Sequence, residues 1–280
     1  MAMTSKTPPE TGTLSVPAAH GARRRLGARI EWLAVPVALL VLWQLLAWII
    51  DYAVISPFAT VAAIARGWER GWLIPSFAIT LQATALGFLI AACLGVLFGF
   101  LLGRSRFWAA VLEEPLLWIY SIPKVILYPV LVLILGLGLK SSVAFAFLHG
   151  VFPPLLILCS AVRDIPPVYL KLARMQRLSA WQLFARIVLP YTLPAIAMGL
   201  RYCFSLSYIG VVIAQMFAAE DGAGYELIKS ISMQQIPKMF AIVTVIMGIA
   251  LTINFLLQAL EHRARVHRPD YGAARFGAEA

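Results

Sequence analysis

The sequence predicts an all-α integral membrane protein with six transmembrane helices and both termini in the cytoplasm. Composition is the first observation behind this. Of 280 residues, 61% are apolar and 13% charged, with a mean hydropathy of +0.84, against about 45–50% and about 25% in soluble domains. The second is that the apolar residues fall in runs at approximately 31–50, 77–103, 115–137, 142–162, 192–218 and 239–260. A bilayer crossing takes about 20 such residues. The third is the alternation of lysines and arginines with those runs. The segments expected inside hold 16 (Lys6, Arg23, Arg24, Arg25, Arg29, Arg104, Arg106, Arg163, Lys171, Arg174, Arg177, Arg186, Arg263, Arg265, Arg268, Arg275) and those outside hold 5 (Arg66, Arg70, Lys140, Lys229, Lys238). That asymmetry follows the positive-inside rule and accounts for the net charge of +10 without a nucleic-acid partner.

Residues 1–30 are rich in Pro, Gly and Ser and end in Arg23, Arg24, Arg25 and Arg29, which reads as a disordered basic cytoplasmic tail. The apolar run that follows is too long for a cleavable signal and lacks a small-residue cleavage site. A single transmembrane domain is expected over 31–260, followed by a cytoplasmic C-terminal tail over 261–280. The second span carries Ala83, Gly87, Ala91, Gly95, Gly99 and Gly103 at every fourth position. On a helix these form one ridge that lets another backbone approach closely; a neighbour in the same chain and one in a second copy both fit. The third span is interrupted by Pro115, Pro123 and Pro129, with Lys124 beside the middle proline. Broken helices at membrane depth belong where they line a cavity or are covered by protein. A lysine there either faces a pathway or snorkels to an interface. Cys93, Cys159 and Cys203 lie in apolar runs without CxxC spacing and read as packing residues.

Between the fourth and fifth spans the pattern changes. Asp164-Ile165-Pro166-Pro167 stops one helix and starts another, since proline suits a first helical turn. Tyr169, Leu172, Ala173 and Gln176 share a face, with Lys171 and Arg174 opposite. Ser179 through Gln182 reads as a capping box, opening a short helix in which Trp181, Phe184 and Val188 make an apolar stripe. Pro190 and Pro194 mark the start of the fifth span. The pattern suits a helix resting on anionic lipid and a helix seated in a partner's groove equally well.

The loop resembles the cytoplasmic motif of permease subunits of bacterial ABC importers, written EAA, three residues, Gly, nine residues, Ile-x-Leu-Pro. Ile187, Leu189 and Pro190 match its end and Ala173 its second Ala; Ser179, Trp181, Gln182 and Phe184 match residues common after the Gly. Lys171 stands where Glu is usual, Leu172 where the first Ala is usual and Arg177 where the Gly is usual. Because that Gly serves a positive-φ turn, arginine there predicts a rebuilt or displaced turn. The resemblance spans about residues 56 to 262. Ile122-Pro123-Lys124, Pro129, Gly136-Leu137-Gly138, Gly199-Leu200-Arg201, Gln215-Met216 and Gly222-Ala223-Gly224-Tyr225 are similar to the nitrate/sulfonate/taurine/bicarbonate branch, with Gln215 replacing a frequent Glu.

This resemblance implies a type I importer permease (MetI-like) architecture in the bacterial inner membrane. It further implies a pore formed with a second permease copy, cytoplasmic ATP-binding subunits that grip the loop, and an extracytoplasmic solute-binding protein. Coupling would fall to Tyr169, Leu172, Ala173, Arg177, Ser179, Trp181, Phe184, Ile187, Leu189 and Pro190. The chain holds no G-x-x-x-x-G-K-[ST], so it is expected to carry no cofactor, with ATP and Mg on the partner subunit.

A small anion needs donors and positive potential that hold without trapping, which nominates Lys124, Arg201, Ser205, Ser207, Tyr208 and Gln215 for the pathway. A secondary transporter or channel is the alternative; it calls for intramembrane acids, and the apolar runs come close to this only at Glu113 and Glu114. No HExxH or GxSxG is present and the four histidines are scattered, which argues against an intramembrane enzyme.

Overall fold

The computed structural model of the protein describes residues 20–266. The parts of the expected tails at 1–19 and 267–280 lie outside the described residues. Among the described residues all regular structure is helical, and the chain divides at Pro57 into two units. The first unit holds α1 (His20–Ile49), followed by a turn in which the Trp43 indole N–H donates to the Ile55 carbonyl at 3.0 Å. The helix starts within the stretch expected as a disordered tail, so Arg23, Arg24, Arg25 and Arg29 lie on it. The prolines of the stretch, Pro8, Pro9 and Pro17, precede His20, whereas the Arg, Leu and Ala after it are good helix formers.

The second unit contains α2 (Pro57–Glu69), α3 (Leu73–Gly103), α4 (Arg106–Ser121), α5 (Tyr128–Leu135), α6 (Leu139–Gly150) and α7 (Phe152–Arg163). It continues with α8 (Pro167–Met175), α9 (Ala180–Leu183), α10 (Leu189–Ala218), α11 (Ala223–Ser232) and α12 (Ile236–Val266). Among the described residues, four helical runs are long and apolar enough to cross a membrane: Leu73–Gly103, Leu139–Arg163, Ala180–Ala218 and Ile236–Arg263. A fifth is the bent pair Arg106–Ser121 and Lys124–Leu135, which turns by 79° at its break. In α1 the apolar stretch among the described side chains is Ala34–Ile49, which lies inside the first expected run. Against the six apolar runs of the sequence, the described residues thus show four crossings by length, or five with the broken pair.

The ridge on α3 faces α6 and α7 of the same chain. A Cβ built on Gly99 would lie 2.9 Å from both the Leu155 carbonyl oxygen and Leu158 Cβ. One on Gly95 would lie 2.8 Å from the Val151 carbonyl oxygen, one on Gly103 2.7 Å from that of Cys159, and one on Gly87 would run into Ala146 Cβ. Ala83 and Ala91 complete the stripe, both fully buried. Toward its start, the ridge continues through Ser76, Thr80 and Thr84, whose hydroxyls donate to the carbonyls of Trp72, Ser76 and Thr80; such back-bonding lets a small polar side chain be buried in a helix. α10 closes the other side of α6 and α7: a Cβ on Gly199 would lie 2.9 Å from Pro154 Cα, and one on Gly210 3.3 Å from Ala146 Cα. Lipid offers no hydrophobic drive between helices, so this close backbone packing is what holds them together.

The break in the third span lies at Ile122-Pro123, where both residues are extended. Pro115 does not interrupt the helix as the sequence suggests; it sits inside α4, and Pro129 lies in the first turn of α5. A proline early in a helix loses no hydrogen bond, and one inside a membrane helix is tolerated when neighbours adjust.

Gly99→Ala is expected to destabilise the purified protein by about 1–3 kcal/mol, read as a lower Tm in detergent. Gly248→Ala, where an added Cβ has no neighbour within 4 Å, should leave Tm unchanged. Equal Tm values for the two variants would refute the close contact.

Candidate functional site

The loop between α7 and α10 folds as a compact helical hairpin. Pro166 is extended and Pro167 opens α8, as its fixed φ and missing N–H favour. Ile165 and Ala173 turn inward, at 6% and 4% exposure. Val168, Leu172 and Met175 face outward at 54%, 48% and 80%. The face on which the sequence groups Tyr169, Leu172, Ala173 and Gln176 is therefore split, with Ala173 against the protein and Leu172 and Gln176 away from it. Tyr169 packs on Tyr191 with ring centroids 6.3 Å apart, and the Tyr191 hydroxyl donates to the Asp164 carbonyl at 3.4 Å. The first contact fastens α8, and the second the end of α7, to the start of α10.

The turn after α8 keeps the geometry a glycine would give it. Arg177 has φ +52°. Its N–H donates to the Arg174 carbonyl and that of Leu178 to the Ala173 carbonyl, each at 3.0 Å. This is the paired closure of a helix C-terminus by a left-handed residue. The turn is neither rebuilt nor displaced; arginine occupies the left-handed position, at a cost of about 1–2 kcal/mol. The capping box forms as the sequence indicates: the Gln182 N–H donates to Ser179 Oγ at 3.3 Å, and the Ser179 N–H to Gln182 Oε1 at 2.9 Å.

From Ala180 the helix runs to Ala218, with a π-helical stretch over Phe184–Val188. There the Leu189 N–H donates to the Phe184 carbonyl, one residue farther back than in an α-helix. The wider turn immediately precedes Pro190, whose ring would otherwise press on the carbonyl four residues earlier. Phe184 packs edge-on against Phe100 of α3 at 5.3 Å, and Ile187 and Leu189 are half-buried. Trp181, 72% exposed, stands outward on α9, as Val168, Leu172 and Met175 do on α8. Lys171, Arg174, Arg177 and Arg186 are exposed as well. These four apolar side chains are the knob of the hairpin, exposed together with four basic ones. Met175 and Val168 were missed from the sequence, although they lie at i+3 and i−4 from Leu172.

The polar candidates of the spans separate into two groups. Lys124 sits at the break between α4 and α5. Its ammonium donates to the Tyr120 carbonyl at 2.8 Å and lies 4.4 Å from the Tyr120 ring centroid and 5.3 Å from that of Phe152. Phe152 is near the middle of the Leu139–Arg163 run, so the charge is held at mid-length and does not reach toward an end. The other five face neighbouring helices. Arg201 Nε donates to Glu261 at 2.9 Å, Ser205 exchanges hydrogen bonds with Asn254 at 2.8 and 3.0 Å, and the Tyr208 hydroxyl donates to the Ile246 carbonyl at 3.2 Å. Positions 201, 205 and 208 follow one helical face, so α10 and α12 share a polar seam. Ser207 donates to the Ala146 carbonyl on α6. Gln215 Oε1 accepts from Thr80 at 2.8 Å and from the Gly224 N–H at 3.2 Å, and so occupies the N-terminus of α11.

Glu261, buried at 5%, was missed because it lies past the expected end of the sixth span. α12 continues to Val266 and carries Glu261 alongside Arg201.

The model of the family described as binding-protein-dependent transport system inner membrane component matches residues 91–266. An ABC transporter permease protein of Haemophilus influenzae is 31% identical over 228 residues, 80% of this chain and 92% of the relative. An aliphatic sulfonates transport permease protein, SsuC, of Bacillus subtilis is 24% identical across 93% of this chain and 97% of its own length. The nitrate import permease protein NrtB of Synechococcus elongatus is 30% identical over 52% of this chain and 53% of its own. The fold is similar to a chain of the inward-facing MetNI methionine ABC transporter, with a TM-score of 0.61 at 15% identity, covering 70% of this chain and 97% of that one.

Arg177→Gly removes the left-handed strain but returns about 0.5–1 kcal/mol of chain entropy to the unfolded segment, for a net gain of about 1 kcal/mol or less. Hydrogen exchange of the Leu178 amide, which the turn protects, should slow by up to about fivefold. Faster exchange in this variant would contradict the left-handed turn.

Proposed function

We propose, from the premise that this chain belongs to the family of binding-protein-dependent transport system inner membrane components, that it forms half of the pore of an ATP-driven importer and is moved through the loop over 163–190. The chain is a multi-pass membrane protein and a transport subunit, not a catalyst. In this reading separate cytoplasmic subunits bind ATP and Mg, an extracytoplasmic solute-binding protein delivers the solute, and a second permease copy completes the pore. The solute is a small anion such as a sulfonate, taurine, nitrate or bicarbonate. The relatives named for sulfonate and nitrate transport and the cation held at the broken span support that class.

The observation that carries the proposal is the exposed knob of Val168, Leu172, Met175 and Trp181 on a helical hairpin fastened at both ends to the bundle. A large apolar side chain on a helix pair that also exposes basic residues suits a groove in a partner protein. Tyr169, Ala173, Phe184, Ile187 and Leu189 hold the hairpin to its own bundle so that a push on the knob reaches the spans, Ser179 caps α9, Pro190 follows the wide turn into α10, and Arg177 turns the chain between the two short helices. On the pathway we place Lys124. Arg201, Ser205, Ser207, Tyr208 and Gln215 set the helices around it, and the termini face the cytoplasm with the hairpin.

Trp181→Ala is expected to weaken capture of the ATP-binding subunit by about 2 kcal/mol, roughly 30-fold, in a co-purification titration, and a photo-crosslinker at 181 should label that subunit. Label found in lipid alone, or uptake that continues without ATP, would favour the channel or secondary-transporter reading. Lys124→Ala should lower uptake while ATP-binding subunits still co-purify; unchanged uptake would remove Lys124 from the pathway.

A further inference from the structure

α4, the first half of the broken span, buries only Ala109 of its own residues, yet it touches α7 at two points. Near its middle Glu113 forms a forked pair with Arg163: Arg163 Nη1 meets Glu113 Oε2, and Nη2 donates to Oε1 at 3.4 Å. At the other contact Tyr120 packs on Phe152, ring centroids 5.7 Å apart. Glu113 and Tyr120 are two helical turns apart, and Phe152 and Arg163 are three, so each pair lies on one face of its helix. Arg163 is also the last residue of α7, directly before the hairpin. Tyr120, in turn, supplies the carbonyl that holds Lys124.

We infer that the Glu113–Arg163 fork is the mechanical link by which movement of the hairpin reaches the break at Lys124. Arg163 and Glu113 are positioning residues in this assignment. A forked guanidinium–carboxylate pair fixes orientation as well as distance, so α4 turns with the end of α7. Its Tyr120 end carries the carbonyl and the ring that hold the Lys124 ammonium. The pair is partly exposed, at 32% for each side chain, so its energetic worth is modest and its contribution is orientation. The inference rests on the ATP-coupled reading above.

The test uses the full chain in complex with its ATP-binding subunits, in nanodiscs. Spin labels replace Trp118 on α4, 69% exposed, and Arg174 on α8, also exposed. Cys93→Ser removes the exposed native thiol, since Cys159 and Cys203 are buried. In the parent complex ATP with vanadate should leave the inter-label distance unchanged. In Glu113→Gln and in Arg163→Gln it should shift by about 2 Å, as the hairpin moves without α4. Arg163→Lys keeps charge but not the fork and should shift too, and the double exchange Glu113→Arg with Arg163→Glu should restore the constant distance. A shift in the parent complex, or none in the single variants while the ATP-binding subunits remain bound, overturns the link alone. A parent preparation that retains no ATP-binding subunit overturns the ATP-coupled reading, and the link with it.

Discussion

Backbone contact between α3 and the α6–α7 run is the constraint on which the rest of the second unit depends. Glycines on α3 bring their backbone against the carbonyls of Val151, Leu155 and Cys159, and no side chain can be added there without moving a helix. In lipid, helix association relies on such packing because the surroundings are as apolar as the helices. The contact holds α7 along its whole length, and α7 passes directly into Asp164 and the hairpin. α10, the other end of the hairpin, is seated on the same run through Gly199 and Gly210. The hairpin therefore hangs from two helices that share one rigid partner. In the proposed reading a force applied to it would pass to the bundle through these packed helices.

Polar groups within the spans are placed so that few charges are left unanswered. Arg201 and Glu261 pair between α10 and α12, with Asn254 and Ser205 one to two turns away. Lys124 differs because its partners are carbonyl and ring, not carboxylate. The break after Ser121 leaves the last carbonyls of α4 without intrahelical partners, and a cation at a helix C-terminus is favoured by both the free carbonyl and the dipole. The Ser121 hydroxyl bonds back to the Leu117 carbonyl one turn earlier. The ammonium is thus held at mid-length without being neutralised by an acid. In the proposed reading an anion would meet a cation already shared with a carbonyl and two rings, as suits a pathway where binding has to be weak enough to release.

Periodicity exposed much of this in the sequence. Small residues at every fourth position located the ridge on α3, and Ser179 with Gln182 located the start of α9, because both depend only on neighbours along one helix. The break at Pro123 was also legible, whereas the effect of Pro115 was not: proline restricts its own turn, and whether a helix survives depends on its surroundings. The Arg201–Glu261 pair joins residues 60 positions apart, a separation that no local pattern reveals. The division of α8 into an inward Ala173 and an outward Leu172 likewise required knowing where α10 runs. The neighbour of the ridge, equally compatible with a second copy, became definite only when Leu155 and Leu158 were found against Gly99.

Arg177 shows how a local rule and a tertiary one compete. Left to itself, an arginine avoids φ +52° by about 1–2 kcal/mol. Here the turn is bounded by Ala173, buried against the bundle, and by Ser179, committed to its capping box. Moving the turn by one residue would rotate α8 by about 100°, exposing Ala173 and driving Lys171 or Arg174 toward the apolar side. Burying an unpaired cation costs several times the backbone strain, so the strained turn is the less costly outcome. Of the three departures from the family motif, Leu172 and Lys171 are exposed on α8. Arg177 alone is answered within the chain, by the two hydrogen bonds that close the helix around it.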